Sequence, residues 1–284
     1  MSKKIFALLL ALCLVFSFLL TSCSDCGGDK TPDGGKDGED VPGDGGSGKD
    51  DSAITPASFT FALNADGTGY TVTGASIQSP QRISIPARHE NLPVVAIADN
   101  AFTGHSSITG LIIPDSIKSI GANAFARCDG ITTLQIGYGV ESIGDYAFFG
   151  LSSLNRITVH EANPVYKADG GCLFEKTGGT LLLGTFACSI PNDGSITRIG
   201  NGALAFMTIS AITIPKSVTS FGENVFYANP QVLSLYYEGS AQDWEAIAKP
   251  ENWKGEISYT FTVICHEGDH GVTVTPPAPQ DPQE

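Results

Sequence analysis

The sequence predicts a solenoid of mostly β structure with some α. Short parallel strands alternate with short helical turns, and the winding is right-handed. Three observations predict it. An apolar skeleton returns at a spacing of 23 residues, through Ile97, Ile120 and Ile143 and again through Phe102, Phe125 and Phe148. Each copy opens on an alternating strand that ends at Pro or Gly. No copy alone carries enough apolar surface to close a core, so copies must stack.

The unit is clearest in Leu111-Ile112-Ile113-Pro114, Ile117, Ile120-Gly121, Ala124-Phe125 and Cys128. It returns as Leu134-Gln135-Ile136-Gly137, Val140, Ile143-Gly144, Ala147-Phe148 and Leu151. Later copies run through Ile190-Pro191, Ile196, Ile199-Gly200 and Ala203-Leu204, and through Ile212-Thr213-Ile214-Pro215, Val218, Phe221-Gly222 and Val225-Phe226. Leu-x-Ile before Pro reads as a strand with two inward side chains, stopped by a residue that cannot donate to a ladder. Val-x-x-Ile-Gly reads as a second short extended segment, whose glycine supplies a corner of permissive dihedrals. The following Ala-Phe reads as about one helical turn, with Phe plugging the core. About six units result, around Phe102, Phe125 and Phe148, an insertion, and around Leu204 and Phe226. Their strands should be parallel, because every unit returns to the same edge in the same direction. Antiparallel pairs are expected only in an N-terminal hairpin and in the insertion near Gly178-Gly179.

Side-chain alternation sorts each strand into an inner and an outer set. The inner column should contain Ile113, Ile120, Phe125, Ile136, Ile143, Phe148, Ile214 and Phe226. The exposed mid-strand positions are Ser84, Ile112, Gln135, Thr158, Thr213 and Tyr236, with Arg82, Thr133, Arg156 and His160 beside them. Stacking aligns these ten residues into a strip suited to an extended partner. They are the candidate binding residues. Cys128 aligns with Leu151 and so reads as a core position.

The motif I-P-x-x-V-x-x-I-G-x-x-A-F-x-x-C resembles the BspA-like leucine-rich repeats of bacterial surface proteins. The resemblance covers residues 59 to about 268 and implies a leucine-rich-repeat solenoid with an N-terminal β-hairpin cap and a C-terminal cap. Phe59 to Gly74 resembles the hairpin cap, and Ile85-Pro86 through Ile97 the longer first repeat. Val159 to Leu183 resembles the internal insertion, with Asn163-Pro164-Val165-Tyr166 and Thr177-Gly178-Gly179-Thr180. Tyr236-Tyr237-Glu238-Gly239 and Trp244 to Ile247 resemble the C-terminal cap. Leu204 stands where the pattern has Phe, and Cys172 where it has an aliphatic residue. The resemblance implies surface exposure and adhesion to proteins or glycans, without transferring a ligand.

The N-terminus gives the compartment. Lys3 and Lys4 precede an apolar run from Ile5 to Leu20, which reads as a secretory signal. Its ending, Leu20-Thr21-Ser22-Cys23, resembles a bacterial lipobox, so Cys23 is the expected lipidation site. The run is short for a membrane span of roughly 20 residues. Residues 24–52 are rich in Gly and Asp, with one isolated Val41 and no aromatic residue. Such a composition cannot offset the entropy of ordering. It reads as a leash with a typical span of about 30 Å. The expected organisation is residues 1–22 as lipoprotein signal peptide, 23–53 as lipidated Cys plus tether, 54–270 as the capped repeat domain with an insertion at about 159–190, and 271–284 as a Pro-rich tail.

The formal charge of −14 argues against nucleic acid and against docking on anionic lipid headgroups. Seven cysteines occur at irregular spacing, indicating neither a zinc site nor a disulfide framework. Mirror pairing about Gly178-Gly179 puts Cys172 opposite Thr185, so a bond from Cys172 to Cys188 would need an offset. Cys265, His266, Asp269 and His270 could be drawn as a metal site but read as a chance surface cluster. Asp243 and Glu245 flank Trp244 in what reads as a capping helix rather than a carboxylate pair. No nucleophile, zinc-protease or phosphate-loop motif is present, so neither an enzyme nor a cofactor is expected. The function expected is that of a monomeric, surface-exposed outer-membrane lipoprotein. It would bind a protein or glycan through its sheet face and the membrane through its lipid. The alternative is a non-catalytic scaffold or spacer partnering other envelope proteins.

Overall fold

The computed structural model describes residues 57–229, 234–256, 261–267 and 272–274. The signal segment, Cys23, the tether, Asp269, His270 and most of the Pro-rich tail lie outside these residues. Strands β1 (Ser58–Leu63) and β2 (Tyr70–Ser76) form an antiparallel hairpin. The first repeats follow as β3 (Gln81–Ser84), β4 (Arg88–His89), β5 (Leu92–Ile97), β6 (Ile108–Ile113), β7 (Ser119–Ile120), β8 (Thr133–Ile136), β9 (Ser142–Ile143) and β10 (Arg156–Val159). The insertion is β11 (Tyr166–Asp169), β12 (Cys172–Glu175) and β13 (Thr180–Gly184). Beyond it come β14 (Arg198–Ile199), β15 (Ala211–Ile214), β16 (Ser220–Phe221), β17 (Ser234–Ser240), α1 (Ala241–Ala246), β18 (Phe261–Glu267) and β19 (Val272–Val274).

The period of the sequence is the register of the sheets. Ile97 pairs with Ile120 and Ile120 with Ile143, all in parallel. Leu111 pairs with Leu134, and Leu134 with Ile157. The fold is therefore a leucine-rich-repeat solenoid whose faces are separate ladders. One is β10-β8-β6-β3. A second runs from the hairpin through β5, β7 and β9. After the insertion, β13-β14-β16 and β15-β17-β18 continue the two kinds of ladder.

Between the ladders lies the apolar column. Ile113, Ile120, Phe125, Ile136, Phe148, Ile214 and Phe226 are all buried, as their alternation requires. Phe102, Phe125 and Phe148 stack with ring centroids 4.9 and 5.8 Å apart, tilted by only 5° and 9°. Ile143 departs from expectation in being only half-buried. It sits on β9, the last strand of its ladder, where the insertion replaces the next repeat. A cavity of about 40 Å³ opens beside it, between Phe148 and Leu182.

The expected helical turns are not helices. Among the described residues the one α-helix is α1, and the Ala-Phe segments are chains of tight turns. The reason is where their N–H groups go. Asn123, Phe125 and Arg127 donate to the carbonyls of Asp145, Ala147 and Phe149 in the next turn of the solenoid. The alternate residues Ala124, Ala126 and Cys128 donate three residues back. Half of the amides thus leave the segment, and no i to i−4 ladder can form. Asn123 and Arg127 take φ of 53° and 57°, a pattern repeated at Tyr146 and Gly150, Gly202 and Phe206, and Asn224 and Ala228.

The glycine after each Ile also works differently from expectation. Gly121 and Gly144 are not among the residues with positive φ. They instead permit close approach. A Cβ on Gly121 would lie 2.6 Å from the carbonyl carbon of Ala98, and one on Gly144 would lie 2.6 Å from the amide nitrogen of Ala122. Gly121→Ala is therefore expected to destabilise the protein by about 2 kcal/mol, as overpacking does. Were the glycine needed only for an unstrained corner, the same change would stabilise by up to about 1 kcal/mol. The sign of the shift in the denaturation midpoint separates the two.

Two antiparallel pairs go beyond those expected. β4 and β5 form a hairpin across Glu90 and Asn91, whose φ values of 43° and 67° fit the left-handed turn that suits a two-residue loop. β18 pairs antiparallel with β19.

Asn163 anchors the insertion to the preceding repeat. It is fully buried, and its amide donates to the carbonyls of Gly137 and Val140, both at 3.0 Å. Its carbonyl oxygen accepts from the amides of Val165 and Tyr166. The position three residues after Phe125 and after Phe226 serves a related purpose. Cys128 Sγ donates to the Phe102 carbonyl at 2.9 Å, and Asn229 Nδ2 to that of Leu204 at 2.6 Å. Burial pushes the Cys128 thiol up to about 12, so it stays protonated and inert.

At the far end Trp244 packs edge to face against both Phe221 and Trp253, and the Phe221 and Trp253 rings meet at a tilt of 55°. Helix α1 holds Trp244 there. Its Ser240 accepts from the Asp243 amide while the Asp243 carboxylate accepts from the Ser240 amide, both at 3.1 Å. These bonds hold the Asp243 carboxyl below its usual range. Asp243 is thereby a capping group, and Trp244 is buried between it and Glu245.

Candidate ligand-binding face

The pleat sends alternate residues of β3, β6, β8 and β10 outward, and the parallel register sets them in rows. One row is Arg82, Gly110, Thr133 and Arg156, and the next is Ser84, Ile112, Gln135 and Thr158. Between and beneath them the inward residues Ile83, Leu111, Leu134 and Ile157 are buried. Gln135 and Arg156 are exposed, while Arg82, Ser84, Ile112, Thr133 and Thr158 are half-buried. Gln135 thus faces solvent while Ile136 is buried.

Gly110 decides how the first row packs. A Cβ there would meet Thr133 Oγ1 at 2.8 Å and Arg82 Cγ at 3.0 Å. Its absence lets the Arg82 stem lie over β6. The guanidinium then spans two strands, and Nη2 donates to Gln135 Oε1 at 3.1 Å. Arg82 Nε is buried with no hydrogen-bond partner among the described residues. A charged group so fixed loses little side-chain entropy when a ligand arrives.

A shallow groove of about 400 Å³ runs along the end of these strands, with Ile112, Gln135, Thr158 and His160 on its walls. His160 is exposed, and its Nδ1 accepts from the Ala162 amide at 3.1 Å. The Tyr138 ring meets its imidazole edge to face at 5.7 Å. Tyr138 is 48% exposed and belongs to the site, although the repeat pattern did not select it. Its signal was an aromatic residue where the preceding unit has Asp115.

The remaining two candidates, Thr213 and Tyr236, are not in this strip. They share a row with Ile264 on β15, β17 and β18, a separate sheet. The insertion interrupts the column of outward rows between β10 and β15. A second groove of about 430 Å³ lies here, between Thr213, Tyr236 and Glu238 on one side and, on the other, Cys188, Ser189, Ile190 and Asn192, where the insertion leads into the next repeat. Asn192 Nδ2 donates to Glu238 Oε1 at 2.9 Å across it. The ten candidates therefore form two surfaces, of eight residues and of two.

Cys265 is buried on β18 and His266 is exposed, so the two point to opposite faces of one strand and cannot share a ligand. Among the described residues no three His, Cys, Asp or Glu side chains converge.

Residues 95–233 match the BspA type leucine rich repeat region, in six copies. The chain is similar to a leucine rich repeat protein of T. pallidum, with 23% identity over 65% of this chain and 71% of that one and a TM-score of 0.39. It is similar to a leucine rich cell surface protein from Faecalibacterium prausnitzii, with 18% identity, coverage of 69% and 98%, and a TM-score of 0.29. The pneumococcal vaccine antigen PcpA shares 13% identity, with coverage of 65% and 80% and a TM-score of 0.29. No curated protein matches the chain.

Proposed function

Because residues 95–233 are BspA-type leucine-rich repeats, we propose that this protein is a surface-exposed, lipid-anchored outer-membrane protein that binds a protein or glycan through its sheet face. It works as an adhesin-like binding module and not as an enzyme. Repeat proteins generally bind partners through such extended faces. The observation that carries the reading is the pair of outward rows on four parallel strands, ending in the groove beside Tyr138 and His160. Its chemistry is mixed. Arg82 and Arg156 offer charge-assisted donors, Gln135 and Thr158 adaptable hydrogen bonds, and Ile112 and Tyr138 apolar contact. Cys23 carries the lipid, and the Gly/Asp-rich segment holds the repeat domain away from the membrane. The protein acts as a monomer, without a cofactor and without nucleic acid.

A soluble full-length Cys23→Ser chain, applied to arrays of purified extracellular proteins and of glycans, tests this. Binding to the array members that retain it should fall at least tenfold in the Gln135→Ala, Tyr138→Ala, His160→Ala triple variant, as for the loss of a central anchor. Arg198→Ala, exposed on β14 of the other kind of ladder, should leave binding unchanged. Equal loss in both variants, or in neither, removes the sheet face as the site.

A further inference from the structure

We propose that Cys172 and Cys188 close an intramolecular disulfide that fixes the insertion as one wall of the second groove. The proposal rests on the reading that the chain is exported, since disulfides persist in oxidising compartments and rarely in the cytosol.

Four observations carry it. First, the two thiols are neighbours. The side chain of Cys188, together with burial, pushes the Cys172 thiol up. Second, a turn and not a register offset brings Cys188 back. Cys172 pairs with Gly184, the last residue of β13, and the chain then turns through residues 185–188 so that Cys188 packs against Gly184. Third, Gly184 makes the room. A Cβ at this position would lie 2.9 Å from Cys188 Sγ, so any larger residue opposite Cys172 would hold the thiols apart. Fourth, the chain on either side is already fixed. The Cys188 amide donates to Thr185 at 3.0 Å, the Ser189 amide to Gly170 at 2.7 Å, and Cys172 Sγ to Ser189 O at 3.6 Å. Cys128 and Cys265, the other described cysteines, each lie buried in the column.

The chemistry is thiol–disulfide exchange with a disulfide oxidant. Cys188 is half-buried and lines the groove, whereas Cys172 is buried. Cys188 thiolate therefore attacks the donor disulfide, forming a mixed disulfide and expelling one donor thiolate. Cys172, deprotonated as it attacks, then displaces the second donor thiol from Cys188. Protein dithiol and donor disulfide become protein disulfide and donor dithiol, with two electrons passing to the donor. The product ties β12 to the segment Cys188–Asn192, which faces Thr213 and Tyr236 across the groove.

The purified full-length chain, reduced and then equilibrated with oxidised glutathione, is quenched by alkylation in denaturant and mapped by mass spectrometry. Most molecules should yield one Cys172–Cys188 linked peptide, about 2 Da below the sum of the reduced peptides, with Cys128 and Cys265 alkylated. Alkylated Cys172 and Cys188 in most molecules, or a glutathione adduct persisting on Cys188, would overturn the pair. The oxidised chain should also melt about 5 °C or more above the reduced one. That difference should vanish in the Cys172→Ser, Cys188→Ser double variant. The same map on protein acid-trapped from cells separates the two readings. A pair open in cells but closed by glutathione sinks the export reading and leaves the pair standing.

Discussion

Phe125→Ala is expected to destabilise the protein by about 3–5 kcal/mol, the range for truncating a buried aromatic residue. The ring is fully buried and stacked on both sides, by Phe102 at 4.9 Å and Phe148 at 5.8 Å. The cavity cannot collapse easily. The backbone around it is bonded to the neighbouring turn through the Asn123, Phe125 and Arg127 amides, and the Phe102 amide donates to Ala124 from the other side. Equilibrium denaturation followed by far-ultraviolet circular dichroism measures the loss. Phe125→Leu should recover much of it, since Leu204 fills the equivalent place in a later turn and is fully buried. A cost below about 1 kcal/mol would show that the stacked rings do not support the column.

Cys23→Ser is expected to move the protein from the membrane fraction to the soluble fraction almost completely. On the proposed lipidation, the thioether to the lipid needs sulfur, and hydroxyl cannot replace it there. Stable anchoring by acyl chains depends on more than one chain, and this variant would receive none through residue 23. Among the described residues no helix is long and apolar enough to cross a membrane and hold the protein instead. Fractionation of cells carrying each form, followed by a carbonate wash without detergent, reads the outcome. A variant that stays with the washed membranes would refute the anchor while leaving the binding face untouched.

The sequence by itself determined the solenoid, its period and the inside and outside of each strand. These follow from a spacing of 23 residues and from alternation, both visible along the chain. That is why Ile136 is buried and Gln135 exposed as the pattern requires. It also selected Arg82, Ser84, Ile112, Thr133, Gln135, Arg156, Thr158 and His160 as neighbours, because parallel register is the repeat itself. Tertiary structure decided what depends on the adjacent turn. The Ala-Phe segments look locally helical, yet every second amide bonds to the next turn, an outlet that local propensity cannot register. Gly121 looks like a corner in the sequence, but the backbone of Ala98 and Asp99 is what excludes a side chain there. The break between the two grooves, the orientation of Arg82 over Gly110 and the meeting of Cys172 with Cys188 are of the same kind. Each arises where segments apart in the chain come into contact, which neither the period nor the alternation encodes.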